Sequence, residues 1–448
     1  MNTSGLIVLL LLLLATAGGV ALWFRAEGTP PLVVAPEAVL LGAGGTTLEI
    51  GVSDAESGLR DVRVRLLSGA EERSLLDESY PGNLLSGGVR PEHLASIPLD
   101  AKTLGKQPAQ REIEIAVRDW SWRGFFSGNQ TVVSVPLTID VDPPRVAVET
   151  GLTYVKQGGA GAVTYRVSEE AARDGVQVGE HFYTGHPHPD GRDGHRVALF
   201  AVPADAASDV EIRVVAEDAA GNTGRGRWPV NVKPRSMPEG NVTLPQSFLD
   251  NVVPRLASDV GDDPAAAFHR VNTEVRAANE AAIRAALAEA PEKVPHFLPS
   301  GRLSQLANSA VTSRFAERRT YFVEGRPVSK AVHYGYDLAA TAAADITAAA
   351  AGRVVHADDL GIYGNCVIVD HGLGLATLYG HLSRIDVAKG DRVEADQVLG
   401  LSGATGLAGG DHLHFAVLVG DTYVDPLEWW DAKWVETHVT PRLETPGA

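Results

Sequence analysis

From residue 31 to about 233, apolar and polar positions alternate in short runs separated by Gly and Asp turns. "TTLEIGVSD" puts Leu48, Ile50 and Val52 on one face, and "RDVRVRLL" does the same with Val62, Val64 and Leu66. "REIEIAVRD" repeats the pattern with Ile113, Ile115 and Val117, and "DVEIRVVAED" with Val210, Ile212 and Val214. A period of two is that of a half-buried strand. The last two runs each lead into an Asp and then a Gly-Asn turn, Asp119 with Gly128-Asn129 and Asp218 with Gly221-Asn222. This weak internal repeat predicts two small β-sandwiches, residues 31–143 and 144–233, split near "DVDPPRV".

The period changes over 244–295. Phe268, Val271, Val275, Ala278 and Ala282 recur at three and four, which predicts an amphipathic helix opened by "GDDP", with a shorter helix in "SFLDNVVPRLA" before it. Strand texture then returns, and residues 300–435 are expected to form an antiparallel β-sheet domain. The fold class is therefore mainly β with a short helical segment. In texture the two sandwiches resemble bacterial immunoglobulin-like modules, whose jobs include spacing, docking an envelope protein partner and self-inhibition.

At the other end, "GLIVLLLLLLATAGGVALWF" is an uncharged apolar run over residues 5–24. At ~1.5 Å per residue it spans a bilayer core, so residues 1–25 are expected to be a transmembrane helix. A cleaved signal peptide ending near Ala15-Thr16-Ala17 is the rival, but the apolar stretch continues to Phe24 and no Lys or Arg precedes it. Either reading exports the remainder, and the anchor places a single-pass protein in the inner membrane with its last domain in the periplasm.

Among 448 residues, 47 glycines and 26 prolines suit a turn-rich β protein, and the formal net charge of −17 argues against nucleic acid and against docking on anionic lipid. The single cysteine, Cys366, excludes an intrachain disulfide; set between strand-forming residues, it reads as a small buried hydrophobe.

Histidines carry the chemistry. In "GGDHLHFAV", strand alternation aims His412 and His414 at the same side, opposite Leu413, Phe415 and Val417. In "HYGYD", His333, Gly335 and Asp337 alternate onto one face of an extended chain; in "LATLYGHLS", Thr377, Tyr379 and His381 do. Four imidazoles and one carboxylate suit a catalytic zinc, which takes three protein ligands and leaves the other groups for proton transfer. A second His-x-His, in "EHFYTGHPHPDGRDGH" with His181, His186, His188 and His195, lies among prolines and glycines and reads as a flexible solvated loop. His371 and His356 read as structural, and His93, His269, His296 and His438 as isolated surface residues. Asp411 reads as the end of a turn.

The stretch from "VTSRFAERRTY" through "HYGYDLAA", "GNCVIVDHGLGLATLYGHLS" and "KGDRVEADQVLGLSGATGLAGGDHLHF" to "VDPLEWW" resembles the lysostaphin/LytM-type zinc metallopeptidases, over about 120 residues in family order. The resemblance implies an endopeptidase that cuts the peptide stems of bacterial peptidoglycan, with zinc on His333, Asp337 and His414 and with His381 and His412 as catalytic histidines. It also puts Asn365 and Arg319 near the substrate. A bond to a meso-diaminopimelate side chain is the expected target rather than a glycine bridge. Relatives that activate other wall hydrolases have lost zinc ligands, whereas all five residues stand in this chain. "GRVV" with "KGDRVEADQVLG" also resembles biotin- and lipoyl-carrier repeats, but no Lys sits at the hairpin tip such carriers modify.

Overall fold

The computed structural model describes residues 3–257, 263–289 and 301–444. The chain is mainly β and divides into two compact units, Met1–Pro143 with Glu217–Thr223, and Pro144–Ala216 with Gly224–Ala448.

In the first unit a three-stranded sheet (Leu32–Val34, Thr46–Ser53, Glu92–Leu99) and a five-stranded sheet share one core. Leu48, Ile50 and Val52 of the former meet Val62, Val64, Leu66, Ile113, Ile115 and Val117 of the latter, so the alternation in the sequence is an alternation of faces. The repeated Asp and Gly-Asn signature is a loop clasp. Asp119 Oδ1 accepts the backbone N–H of Ser121 and Asn129, and Oδ2 accepts Asn129 Nδ2 at 2.8 Å. Asp218 takes Asn222 in the same way, by its N–H and by Nδ2. The apolar N-terminal run is helical from Thr3 to Arg25. Among the described residues, no helix is long and apolar enough to cross a membrane. The expected crossing is thus not supported there.

In the second unit the separate domains expected for 144–233, 244–295 and 300–435 share one continuous core. Val155, Tyr165 and Phe200, then Phe268, Val271 and Ile283, then Leu378, Phe415 and Trp429 belong to it. The seam is also polar: Tyr183 Oη donates to Thr422 Oγ1 at 2.9 Å, Arg235 pairs with Asp425, and the Ala160 N–H donates to Glu428 Oε2 at 2.9 Å.

The helical segment departs from the expected stripe. Asp263 caps Pro264–Arg270 by accepting the N–H groups of Ala265 and Ala266. A single π-turn, Val271–Val275, then precedes Arg276–Ala288. The wide turn adds a residue, so the buried face moves from the predicted Ala278 and Ala282, which are exposed, to Ile283 and Ala286. Ahead of it, Glu239–Thr243 joins a three-stranded sheet, pairing in parallel with Glu317–Val323, whose other neighbour is Arg326–His333. That strand delivers the short helices Gln246–Asn251 and Val253–Leu256.

The main antiparallel sheet has Leu413–Val419 between Tyr336–Ala339 and Leu375–Leu382, with Asn365–Asp370 and Gly352–Asp359 beyond. Leu375–Leu382 and Leu413–Val419 are buried on both faces. Cys366 is buried in this sheet, and burial raises its thiol pKa, as suits a packing residue.

The loop read as flexible is instead ordered. His188 N–H donates to His195 O at 2.9 Å, Gly191 N–H to His188 O and His195 N–H to Arg192 O. Both His188 and His195 are only 4% exposed. Proline and glycine shaped these turns rather than loosening them. His93 is also inward, its ring against Tyr80, and half-buried His438 stacks on Trp434. His269 is exposed, and His296 lies outside the described residues.

Glu428 gives this unit a pH signature. Burial, more than any neighbour, pushes its carboxyl up to about 7 from 4.5. The folded chain therefore holds a proton that the unfolded chain has released, and stability present below the unfolded pKa falls as pH rises through the folded one. Between pH 5 and 7.5 the unfolding free energy is expected to drop by up to roughly 3 kcal/mol from this group. Glu428→Gln should flatten that slope in denaturant titrations; equal slopes in both proteins would refute the shift.

Candidate metal centre

His333 and Asp337 do not lie on one extended strand. The chain bends at Tyr334-Gly335, leaving the three-stranded sheet after His333 and entering the main sheet at Tyr336. Asp337 is the direct cross-strand partner of His414. The bend requires glycine: a Cβ on Gly335 would stand 2.7 Å from His414 Cε1 and from the Phe415 carbonyl oxygen.

Three acceptor atoms meet there. Asp337 Oδ1 is 2.9 Å from His333 Nε2 and 2.9 Å from His414 Nδ1, and the two nitrogens are 3.0 Å apart. His333 Nδ1 faces the Arg314 carbonyl at 3.0 Å. A carbonyl only accepts, so Nδ1 carries the proton and the Nε2 lone pair turns inward. Two nitrogens and one oxygen so grouped can hold a metal ion, and the donor set fits zinc, which takes N and O ligands at ~2.0–2.2 Å. Burial resists ionisation of Asp337, yet the His333 and His414 imidazoles hold its carboxyl well below the usual range. Arg319, which also lines the cleft, donates to Asp337 Oδ2 at 3.1 Å and so grips the carboxylate. Burial pushes the His414 imidazole down to about 4 despite that carboxylate.

His381 and His412 flank this triangle. Their rings are 4.8 Å apart, and His412 Nε2 is 3.7 Å from Asp337 Oδ1. Each is oriented by a carbonyl: His381 Nδ1 donates to Thr405 O and His412 Nδ1 to Gly410 O, both at 2.8 Å. Nε2 is left as the lone-pair nitrogen in both. Burial first, then His412 and His414, push the His381 imidazole down to about 3.

The route by which His381 arrives differs from strand alternation. Thr377 and Tyr379 do not share its environment. Thr377 Oγ1 hydrogen-bonds Tyr379 Oη and His371 Nε2, at 2.9 and 2.8 Å, in a buried chain that ends on Ala349 N and Ala351 O. After Tyr379 a bulge sets Gly380 and His381 opposite Cys366 alone, and His381 takes φ +66°. A left-handed histidine is strained, and the bulge re-aims it into the site. Asp411 accepts the Ala343 N–H and ties two loops together, as a turn residue does. Asn365 donates its N–H to Thr405 Oγ1, supporting the loop whose carbonyl holds His381.

The sequence reading missed the other wall. A cleft of about 610 Å³ is lined by the four histidines and Asp337 on one side and by Leu244, Phe248 and Val252 on the other, with Arg276 and Arg319 between. The apolar run in "LPQSFLDNVV" was the available signal, but nothing in it told which surface it would cover. The orienting carbonyls of Arg314, Thr405 and Gly410 have no sequence signature at all.

Residues 331–426 match the family model for peptidase family M23. The peptidoglycan DD-endopeptidase ShyB of Vibrio cholerae is 36% identical over 118 residues, 26% of this chain and 27% of that protein. The DD-carboxypeptidase/endopeptidase Mpg of Neisseria meningitidis is 36% identical over 96 residues, 21% of this chain and 22% of its own. The chain thus spans about a quarter of the length of these relatives. The catalytic domain of lysostaphin from Staphylococcus simulans aligns with 28% of this chain and 92% of its own, at 28% identity and a TM-score of 0.24. The segments that carry His333, Asp337, His381, His412 and His414 therefore make up a peptidase family M23 domain.

Proposed function

We propose that this site hydrolyses peptide cross-links of bacterial peptidoglycan, with zinc held by His333 Nε2, Asp337 Oδ1 and His414 Nδ1. The observation that carries the reading is the triangle of acceptor atoms, each edge near 3 Å, flanked by two imidazoles whose Nδ1 protons are committed to carbonyls. Bound zinc supplies a Lewis acid and lowers the pKa of a coordinated water. The chain itself supplies the proton carrier: the Nε2 lone pair of His381 or His412 accepts the proton of the attacking water, and the same imidazole, then charged, returns that proton to the leaving amine. Fixed tautomers keep both nitrogens ready without reorganisation.

The cleft suits a peptide stem. Its apolar wall takes aliphatic side chains, and Arg276 gives a carboxylate a local cationic contact on a protein of net charge −17. Two relatives, a DD-endopeptidase and a DD-carboxypeptidase/endopeptidase, point the same way. The substrate would place the protein in the cell envelope, with the cross-link to meso-diaminopimelate as its target and the β-sheet region before the site as a surface for an envelope partner. A purely regulatory role is disfavoured because all five side chains are present and meet.

His381→Ala is expected to retain its zinc while losing about a hundredfold or more in the release of monomers from cross-linked dimers of isolated peptidoglycan, followed by chromatography and mass spectrometry. Full activity with zinc bound would remove His381 from the mechanism. His414→Ala, or a chelator applied to the unaltered chain, should abolish dimer cleavage, and zinc should restore the chelated protein but not the variant. Chelator-resistant cleavage would overturn the metal reading.

A further inference from the structure

Far from the cleft, the ordered turn at His188–His195 builds a second cluster of the same donor types. His188 Nδ1 lies 3.2 Å and His195 Nδ1 2.6 Å from one oxygen, Asp190 Oδ2. The Asp190 side chain is 1% exposed, and the two imidazole rings are tilted by 34° with centroids 4.3 Å apart.

The outward nitrogens are tied down. His188 Nε2 donates to the Arg442 carbonyl at 2.9 Å, and His195 Nε2 meets Glu149 Oε2 at 2.6 Å. The first contact fixes the proton of His188 on Nε2, and the Asp190 N–H, 3.2 Å from Nδ1, agrees that Nδ1 offers a lone pair. A carboxylate or carbonyl behind each imidazole is the arrangement that orients metal-ligating histidines. His188 Nδ1 is thus an acceptor, whereas His195, 2.6 Å from a carboxylate at each ring nitrogen, donates its Nδ1 proton to Asp190, a proton that a metal ion would release on binding.

Arg192 adds a further positive charge on the same carboxylate. Its Nε donates to Asp190 Oδ2 at 2.7 Å, and Nη2 is 3.2 Å from His195 Nδ1. Its side chain is half exposed, whereas the acceptors are buried. A guanidinium on a mobile stem is a replaceable charge. Gly191 and Gly194, both left-handed, form the turns that bring residues 188, 190 and 195 together.

We propose that His188 Nδ1, Asp190 Oδ2 and His195 Nδ1 form a second metal site, selective for a zinc-class divalent cation, which on binding displaces the Arg192 guanidinium and releases the His195 Nδ1 proton to solvent. Two imidazoles and one carboxylate match zinc better than calcium or magnesium, which take oxygen ligands. Through His188 and the Arg442 carbonyl the ion would clasp the 440–442 turn against the 186–201 strands.

The test uses the full chain, stripped by chelator, loaded with zinc and freed of excess by gel filtration, with bound zinc measured by elemental analysis. Two equivalents are expected, one in Asp190→Asn and one in His414→Ala. Arg192→Gln should keep two and bind the second about fivefold more tightly, the scale of one partly exposed ion pair. If Asp190→Asn binds as much zinc as the unaltered chain, and Arg192→Gln only lowers the melting temperature, the cluster is an ion-pair network and the inference falls. One equivalent lost in His414→Ala but not in Asp190→Asn would also overturn it while leaving the proposed active centre intact. One equivalent lost only in Asp190→Asn would support it and count against that centre.

Discussion

Three electron-rich atoms, Nε2 of His333, Oδ1 of Asp337 and Nδ1 of His414, stand about 3 Å apart in a buried place. Such an arrangement is unfavourable until positive charge enters it, and a chain left to relax would turn the imidazoles aside. Much of the surrounding structure prevents that relaxation. The Arg314 carbonyl holds one ring, the cross-strand pairing of Asp337 with His414 sets another edge, and Arg319 holds the far carboxylate oxygen. The bend at Gly335 is the covalent expression of the same constraint, since it lets His333 and Asp337, four residues apart, come from two different sheets.

The parts of this architecture that were readable in the sequence follow simple periods. Leu48, Ile50 and Val52 share a face because nothing interrupts their strand, and His412 and His414 face one centre for the same reason. Where one residue is inserted, the period misleads. The π-turn at Val271–Val275 moves the buried stripe off Ala278 and Ala282, and the bulge at Gly380-His381 separates His381 from Thr377 and Tyr379. His381 reaches the cleft by this bulge, not by the alternation with Thr377 and Tyr379. An inserted residue changes phase without changing composition, so no pattern of apolar positions displays it.

The turn around His188 misled for another reason. Prolines and glycines signal that a chain reverses, not that it is loose, and solvation depends on what packs over the turn. Here that is the 440–442 segment, some 250 residues away in sequence. Long-range cover of this kind is invisible to any local reading, as is the apolar wall that Leu244, Phe248 and Val252 present to the histidines.

The parallel strand Glu239–Thr243 sits one strand away from the one that ends in His333. Both are rungs of a single hydrogen-bonded ladder, and sliding such a strand by one position would turn every side chain to the opposite face. The segment that forms the apolar wall is thereby denied translation along the cleft. Leu249 and Val253, in the helices that follow, are buried in the shared core, so the same segment is held in depth as well as in register and the two walls keep their alignment.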